Sequence, residues 1–123
     1  MGNYKFYILL LLIAVTASSC APTTRFEWGN YENALYQYYK APSELVSYRE
    51  DLREAIDSGV TEGRLAPGLY AELGYTYLEQ GNLETASELF QSEMQNFPES
   101  RPFLDSLIKR LSSQSAADGT PTS

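Results

Sequence analysis

The amino-acid sequence predicts an all-α fold of about four helices paired into hairpins, followed by a C-terminal capping helix. The main observation is a segment at residues 66–98, where apolar residues recur at helical spacing on both sides of a Gly81-Asn82 turn. Two earlier segments, residues 27–40 and 43–58, show the same period. A last amphipathic segment follows Pro102. Together these segments predict a single helical domain over residues 27–111.

Residues 66–98 also carry a repeat pattern. Counted from Pro67, seven residues agree in type and spacing with a known consensus, that of the tetratricopeptide repeat: Tyr70, Leu73, Gly74, Tyr77, Ala86, Phe90 and Pro98. Gly74 and Ala86 are small where two helices must approach, and Phe90 is large where a gap must be filled. Glu93 departs from the pattern, because a small residue is usual there. The segment therefore resembles a tetratricopeptide repeat.

Local signals mark the ends of these helices. Gly81 can adopt the left-handed conformation that ends the first helix, and Asn82 can cap the second one. Pro98 prevents the second helix from continuing. Residues 102–111 are predicted to form a fifth helix that caps the stack. Residues 112–123 are polar and small, and they are predicted to be disordered.

The first helical pair matches the repeat less well. In residues 27–40, Trp28, Leu35 and Tyr39 lie nearly in line along a helix. Residues 43–58 place an apolar face opposite a charged face that contains Arg49, Glu50, Arg53, Glu54 and Asp57. Gly59 is the predicted stop of this helix, and a loop follows at residues 60–66. The pair is similar to a degenerate tetratricopeptide repeat.

The N-terminus has the features of a bacterial lipoprotein signal peptide. Lys5 precedes an apolar run at residues 6–15 that is too short to span a bilayer, and small residues lead into Cys20. Such signals place a cysteine directly after the cleavage point, where its thiol receives a diacylglyceryl group. We therefore predict a signal peptide at residues 1–19 and a lipidation site at Cys20, which would carry diacylglycerol and an N-acyl chain. The alternative is an ordinary secretory signal followed by a free thiol.

Lipidation would hold the domain close to a membrane. Residues 20–26 form the predicted tether. The six residues that follow Cys20 in it span roughly 20 Å when fully extended. Loss of residues 1–19 removes one Lys and no acidic residue, so the formal net charge changes from −7 to −8. An acidic chain without a basic stripe is a poor nucleic-acid ligand and is repelled by anionic membrane surfaces. Ala21 follows Cys20. By analogy with known lipoproteins, the absence of Asp at this position favours an anchor in the outer membrane, with the domain in the periplasm.

The residue types present argue against an enzyme. The chain has no His, and its single Cys is the predicted lipidation site. The commonest general base, the usual zinc ligands and thiol catalysis are therefore missing. The remaining acid/base candidates, Glu62, Glu72, Glu79 and Glu88, have the spacing of solvated helix faces. We predict no catalytic residue, no metal ligand and no cofactor apart from the acyl chains.

Tyrosine is the unusual residue type, with ten in the chain. Most are expected in the core, where a ring fills space between helices and its hydroxyl reaches the edge. Tyr75 lies off the face that Tyr70, Leu73 and Tyr77 share, and the matching repeat position points into a concave groove. The predicted groove for a protein partner contains Asn33, Tyr36, Ala71, Tyr75, Leu78 and Glu79. The alternative is that Tyr75 packs against the first hairpin.

A family resemblance rests on the residues after Cys20. The run FEWGNYE at residues 26–32, followed by Leu35-Tyr36 and by the YYK of residues 38–40, resembles the domain-of-unknown-function 4810 family of small bacterial lipoproteins. The resemblance covers nearly all of the chain after Cys20. It implies a gene neighbourhood with a curli-secretion-channel-type lipoprotein and a second small lipoprotein. It implies no catalytic residue, since none is described for the family.

Three functions remain open at this point. The first is a non-enzymatic outer-membrane lipoprotein that serves as an adaptor or assembly factor, with an envelope protein, expected to be another lipoprotein, as its partner. Self-association could complete the small core. The second is a lipoprotein activator of a peptidoglycan synthase, although the short tether gives it little reach. The third, an envelope enzyme, would have to act through carboxylates alone.

Overall fold

Five α-helices follow one another in residues 24–118, the part of the chain that this computed structural model describes. They are α1 (Tyr31–Lys40), α2 (Leu45–Glu62), α3 (Leu69–Glu79), α4 (Leu83–Asn96) and α5 (Arg101–Asp118). Short 3₁₀ turns at Pro42–Glu44 and Pro98–Ser100 lead into α2 and α5. The predicted all-α fold of helical hairpins with a C-terminal helix is confirmed.

The hairpin of α3 and α4 forms where the repeat pattern predicts it. Gly81 has a φ of 76° at the turn, and Asn82 caps α4 by accepting a hydrogen bond from the Thr85 N–H at 3.1 Å. Phe90 is only 1% exposed, and its ring lies so close to Gly74 that an added Cβ would stand 2.8 Å from Cε1. The small residue and the large ring therefore fit each other, as the spacing predicts.

Two apolar clusters hold the helices together. The first joins α1, α2 and α3, and its buried residues are Ala34, Tyr48, Leu52, Ala55, Ile56, Ala66, Leu69 and Leu73. The second joins α4 to α5, with Ala86, Phe90, Met94 and Leu104 buried. Tyr77 packs against both clusters, so α3 is the helix that connects the two halves of the stack.

The prediction that Gly59 stops the second helix is wrong. α2 continues to Glu62, and Gly63 ends it with a left-handed φ of 65°. Gly59 is buried inside the helix, where an added Cβ would lie 2.8 Å from the Leu65 Cα. This glycine therefore allows the chain to pass close to α2 on its way to α3. The predicted loop at residues 60–66 begins later, since α2 includes residues 60–62.

The first helix also begins later than predicted. Residues 27–30 are not helical, because the Glu27 N–H donates to the Arg64 carbonyl at 2.7 Å and an isolated bridge pairs Glu27 with Leu65. Gly29 then turns the chain with a φ of 53° into α1 at Tyr31. A contact with a distant loop thus overrides the helical period of this segment.

The C-terminal helix is longer than the sequence predicts. α5 runs to Asp118, past the expected end at Leu111, into the segment that was expected to be disordered. The hydroxyls of Ser112 and Ser113 donate to carbonyls one turn earlier, at 2.9 Å and 2.8 Å, so these polar residues do not interrupt the helix. Within residues 24–118, no helix has both the length and the apolar character needed to cross a bilayer.

Candidate functional site

The α3 part of the predicted groove forms one surface of the hairpin stack. Tyr75 exposes 51% of its surface there, so it is not a core residue. Ala71 and Leu78 flank it on the same helix face and are partly buried against the cluster between α4 and α5. Glu79 lies on the other flank and accepts a hydrogen bond from the Tyr38 hydroxyl at 3.3 Å. Tyr75 therefore lies between the α5 side and the α1 side of α3.

The two α1 residues predicted for this groove line separate depressions. Asn33 lies at the mouth of a polar groove of about 580 Å³ between α1 and α2. The wall of this groove includes Tyr38 and Tyr48, whose rings stack with centroids 4.8 Å apart. Tyr36 lies instead in an apolar depression with Leu35 and Tyr39.

A set of tyrosine hydroxyls faces Glu72 between the two hairpins. The Tyr48 hydroxyl donates to Glu72 Oε1 at 3.0 Å. Burial raises the pKa of Tyr48 well above its ordinary value of 10.0, and the Glu72 carboxylate adds to the effect. Burial also raises the pKa of Tyr31, again with Glu72 as the second cause. These hydroxyls stay protonated near neutral pH, so they act as hydrogen-bond donors rather than as bases.

Arg49, predicted on the charged face opposite the apolar face of α2, is instead buried. It is only 9% exposed, because its guanidinium inserts between α2 and α3. Nε donates to Thr76 Oγ1 and Nη1 to Gln80 Oε1, both at 2.9 Å, while Nη2 donates to the Thr76 carbonyl. The guanidinium carbon also lies 3.9 Å from the centroid of the Tyr77 ring.

The charge of Arg49 is balanced by dipoles. Both salt bridges found in residues 24–118 belong to Arg64, so no carboxylate pairs with Arg49 there. Thr76 lies in the last turn of α3, where carbonyl groups carry the negative end of the helix dipole. Sequence periodicity could not reveal this position, since the compensating groups belong to a helix about 27 residues later in the chain.

Glu93, the departure from the repeat consensus, also has a structural role. It is 3% exposed, and its Oε1 accepts the Gly68 N–H at 2.7 Å just before α3 begins. Its Oε2 has no hydrogen-bond partner among the described residues. Burial raises the pKa of Glu93, whereas the N–H groups of Gly68, Ala71 and Tyr70 act in the opposite direction. Glu93, a residue of α4, thus stabilises the first turn of the neighbouring helix α3.

Apolar and aromatic side chains also lie uncovered on the outside of α1. We call Trp28, Leu35, Tyr36 and Tyr39 the α1 outer stripe; all four are exposed, and Tyr39 reaches 83%. The rings of Trp28 and Tyr31 are tilted by 39° to each other, with their centroids 5.6 Å apart. Leu35 and Tyr39 lie on the exposed face of α1, because Ala34 and Tyr38 face the core, and Trp28 precedes the helix.

Three of the four carboxylates considered as acid/base candidates have a hydrogen-bond or ion-pair partner. Glu72 is bonded to Tyr48, Glu79 to Tyr38, and Glu62 forms an ion pair with Arg64. Residues 24–118 contain no group of three or more His, Cys, Asp or Glu suited to a metal ion. Cys20, the predicted lipidation site, lies outside the described residues.

The comparison with protein families gives one result. The family model described as Domain of unknown function (DUF4810) matches residues 26–107, which includes α1 to α4 and the first turns of α5. The chain belongs to the DUF4810 family. The start of the match at Phe26 coincides with the segment that Arg64 holds against the body. Searches of curated proteins and of solved structures find no match to this chain.

Proposed function

We propose that this DUF4810 protein is a non-enzymatic outer-membrane lipoprotein whose helical domain acts in the periplasm as an adaptor or assembly factor for an envelope protein complex. The partner would be another envelope protein, with a lipoprotein of a secretion-channel-type complex as the first candidate. Acyl chains on Cys20 would anchor the protein.

The exposure of Tyr75 is the observation that carries this proposal. Its neighbours on α3, Tyr70 and Tyr77, pack against the core, but Tyr75 leaves half of its surface free. Aromatic side chains with a polar tip are favoured as anchors in protein interfaces, because they bury a large area with few rotatable bonds. The flanking Ala71 and Leu78 add apolar surface, and Glu79 adds a carboxylate at the edge.

The small size of the domain supports a role in binding. α3 packs against both apolar clusters, and the helices of this small stack keep outer surfaces that no other helix covers. Helical hairpin stacks generally use such surfaces to bind other chains. The alternative, activation of a peptidoglycan synthase, would need a longer reach. Cys20 is four residues from Thr24, which Arg64 already holds against the body, and four residues span at most about 14 Å.

Affinity capture from membranes tests the partner surface. Acylated protein carrying Tyr75→Ala should retain less than about a tenth of the partner captured by the wild type, the loss expected when an interface anchor worth more than 1.4 kcal/mol is removed. Phe103→Ala is the matched control, because Phe103 is an exposed aromatic residue on α5. It should capture the partner normally.

Each alternative gives a different result. Capture of a peptidoglycan synthase would favour the activator, and turnover lost in a single Glu→Gln variant would favour an enzyme. A Tyr75→Ala protein that captures as much partner as the Phe103→Ala protein would contradict the α3 surface. For the anchor, Cys20→Ser should abolish labelling by a radioactive fatty acid, and continued labelling would contradict the lipidation site.

A further inference from the structure

The two ends of the helix stack differ in what they expose. At the C-terminal end, α5 exposes Asp105, Ser106 and Lys109 together with one large apolar side chain, that of Phe103. At the N-terminal end, α1 leaves the α1 outer stripe uncovered. Its residues lie in adjoining depressions, since Glu32 borders both the one beside Trp28 and the one formed by Leu35, Tyr36 and Tyr39. The two depressions thus lie side by side at this end of the stack, with Glu32 between them.

This stripe lies next to the first residues that the structure describes. The Arg64 guanidinium donates to the Thr24 carbonyl at 3.0 Å and pairs with Glu27 at 3.0 Å, which fixes residues 24–27 against the loop before α3. Trp28 follows Thr24 by four residues and Cys20 precedes it by four, and each distance is at most about 14 Å of extended chain. The predicted anchor and Trp28 are thus separated by at most about 28 Å of extended chain.

The chemistry of the stripe suits the boundary between lipid and water. Trp and Tyr rings have an apolar body and a polar tip, and they are enriched at this boundary in membrane proteins. Basic residues flank the stripe. Lys40 Nζ lies 4.6 Å from the Tyr36 ring centroid at one end, and Arg25 precedes Trp28 at the other. Their long side chains can follow the apolar surface while the charges reach lipid phosphates.

The charges elsewhere on the chain favour an orientation in which α1 faces the bilayer. Glu50, Glu54 and Asp57 are exposed on α2 and would be repelled by anionic lipid, so the body should turn α1 toward the bilayer instead. Glu32 is the carboxylate that opposes docking at the stripe itself.

We propose that the α1 outer stripe docks into the interface of the lipid bilayer that holds the anchor. This inference rests on the proposed acylation of Cys20. Docking fixes the orientation of the domain, because α1 faces the lipid and the Tyr75 surface of α3 is left for the partner. A second copy of the chain is the competing occupant of the stripe.

Trp28 allows a direct test, since it is the single tryptophan of the chain. Acylated protein purified from membranes is reconstituted into vesicles of phosphatidylethanolamine and phosphatidylglycerol, with or without brominated acyl chains. We expect the brominated lipids to quench Trp28 emission and the emission to shift to shorter wavelength. The double variant Leu35→Asp/Tyr39→Asp should lose both effects while remaining in the vesicles. The control Phe103→Asp should retain both, and Glu32→Lys should strengthen quenching.

The possible failures are distinguishable. Emission that is unquenched in acylated wild-type protein would overturn the docking and leave the proposed adaptor function standing. A disulfide between copies of a Tyr39→Cys variant, together with unquenched emission, would assign the stripe to a second copy and would also overturn it. Absence of acyl chains on Cys20 would overturn both the docking and the proposed lipoprotein.

Discussion

Replacing Arg49 with methionine is expected to lower the free energy of unfolding by roughly 2–4 kcal/mol. Methionine keeps much of the volume of the arginine stem but has no guanidinium. The Thr76 carbonyl and hydroxyl then lose a charged donor in a buried position. Gln80 is exposed, so its amide can bind water instead.

The magnitude follows from these contacts. Loss of a partner by a buried polar group costs about 1–3 kcal/mol. Loss of the contact with the Tyr77 ring adds about 2 kcal/mol, since the guanidinium is desolvated. Removal of a buried charge recovers part of this cost. For a domain of this size each kcal/mol lowers the melting temperature by about 4–8 °C, so a loss of 2–4 kcal/mol lowers it by roughly 8–32 °C.

Thermal unfolding followed by far-ultraviolet circular dichroism measures this effect. Arg53→Met is the matched control, because Arg53 also contacts Tyr77, through the ring hydroxyl, but is exposed. Its loss should cost less than about 1 kcal/mol, the usual value for exposed charged contacts. Equal melting temperatures for the two variants would refute the idea that Arg49 couples the two hairpins.

Two further predictions concern buried positions. Burial raises the pKa of Glu93 above 4.5, so its favourable contribution is full at low pH and declines as the pH rises through the folded-state value. The stability of Glu93→Gln relative to wild type should therefore increase from pH 4 to pH 8 in urea titrations, and a constant difference would contradict a raised pKa. Gly74→Ala should destabilise by about 1–3 kcal/mol through overpacking against Phe90. Combination with Phe90→Leu should cost less than the sum of the two single changes, whereas simple additivity would show that the contact is not strained.

The hairpin of α3 and α4 could be predicted from sequence because its determinants are local. Gly81 and Asn82 define the turn through their own backbone and side-chain preferences. Gly74 and Phe90 lie on helices that this turn brings together. Each of these residues acts on a neighbour whose position follows from helix geometry alone.

The first hairpin was predicted less well because distant contacts determine it. Position 59 is a glycine because the Leu65 backbone leaves no room for a Cβ there. Arg49 is buried because the end of α3 lies beside it. From the sequence alone, Gly59 cannot be told from a glycine that ends a helix, and Arg49 cannot be told from a solvated arginine. Glu27 likewise pairs with the loop at Leu65 instead of extending α1.

For the candidate site, the sequence left Tyr75 open between an exposed groove and packing against the first hairpin, and it could not assign the faces of α1. A helical stripe such as that of Trp28, Leu35 and Tyr39 has the same period whether it faces a core or an open end. The structure leaves the stripe exposed because Ala34 and Tyr38 face the core. Asn33 and Tyr36, only three residues apart, consequently line different depressions.

Photo-crosslinking from position 75 tests the central claim most directly. The photoreactive residue p-benzoylphenylalanine would replace Tyr75 in the acylated protein within living cells, with the same replacement at Phe103 as the control. We expect position 75 to form a single major adduct with an envelope protein, identified by mass spectrometry, and position 103 to form none with that protein. An absence of adducts at position 75, or the same adducts from both positions, would contradict a partner surface on α3.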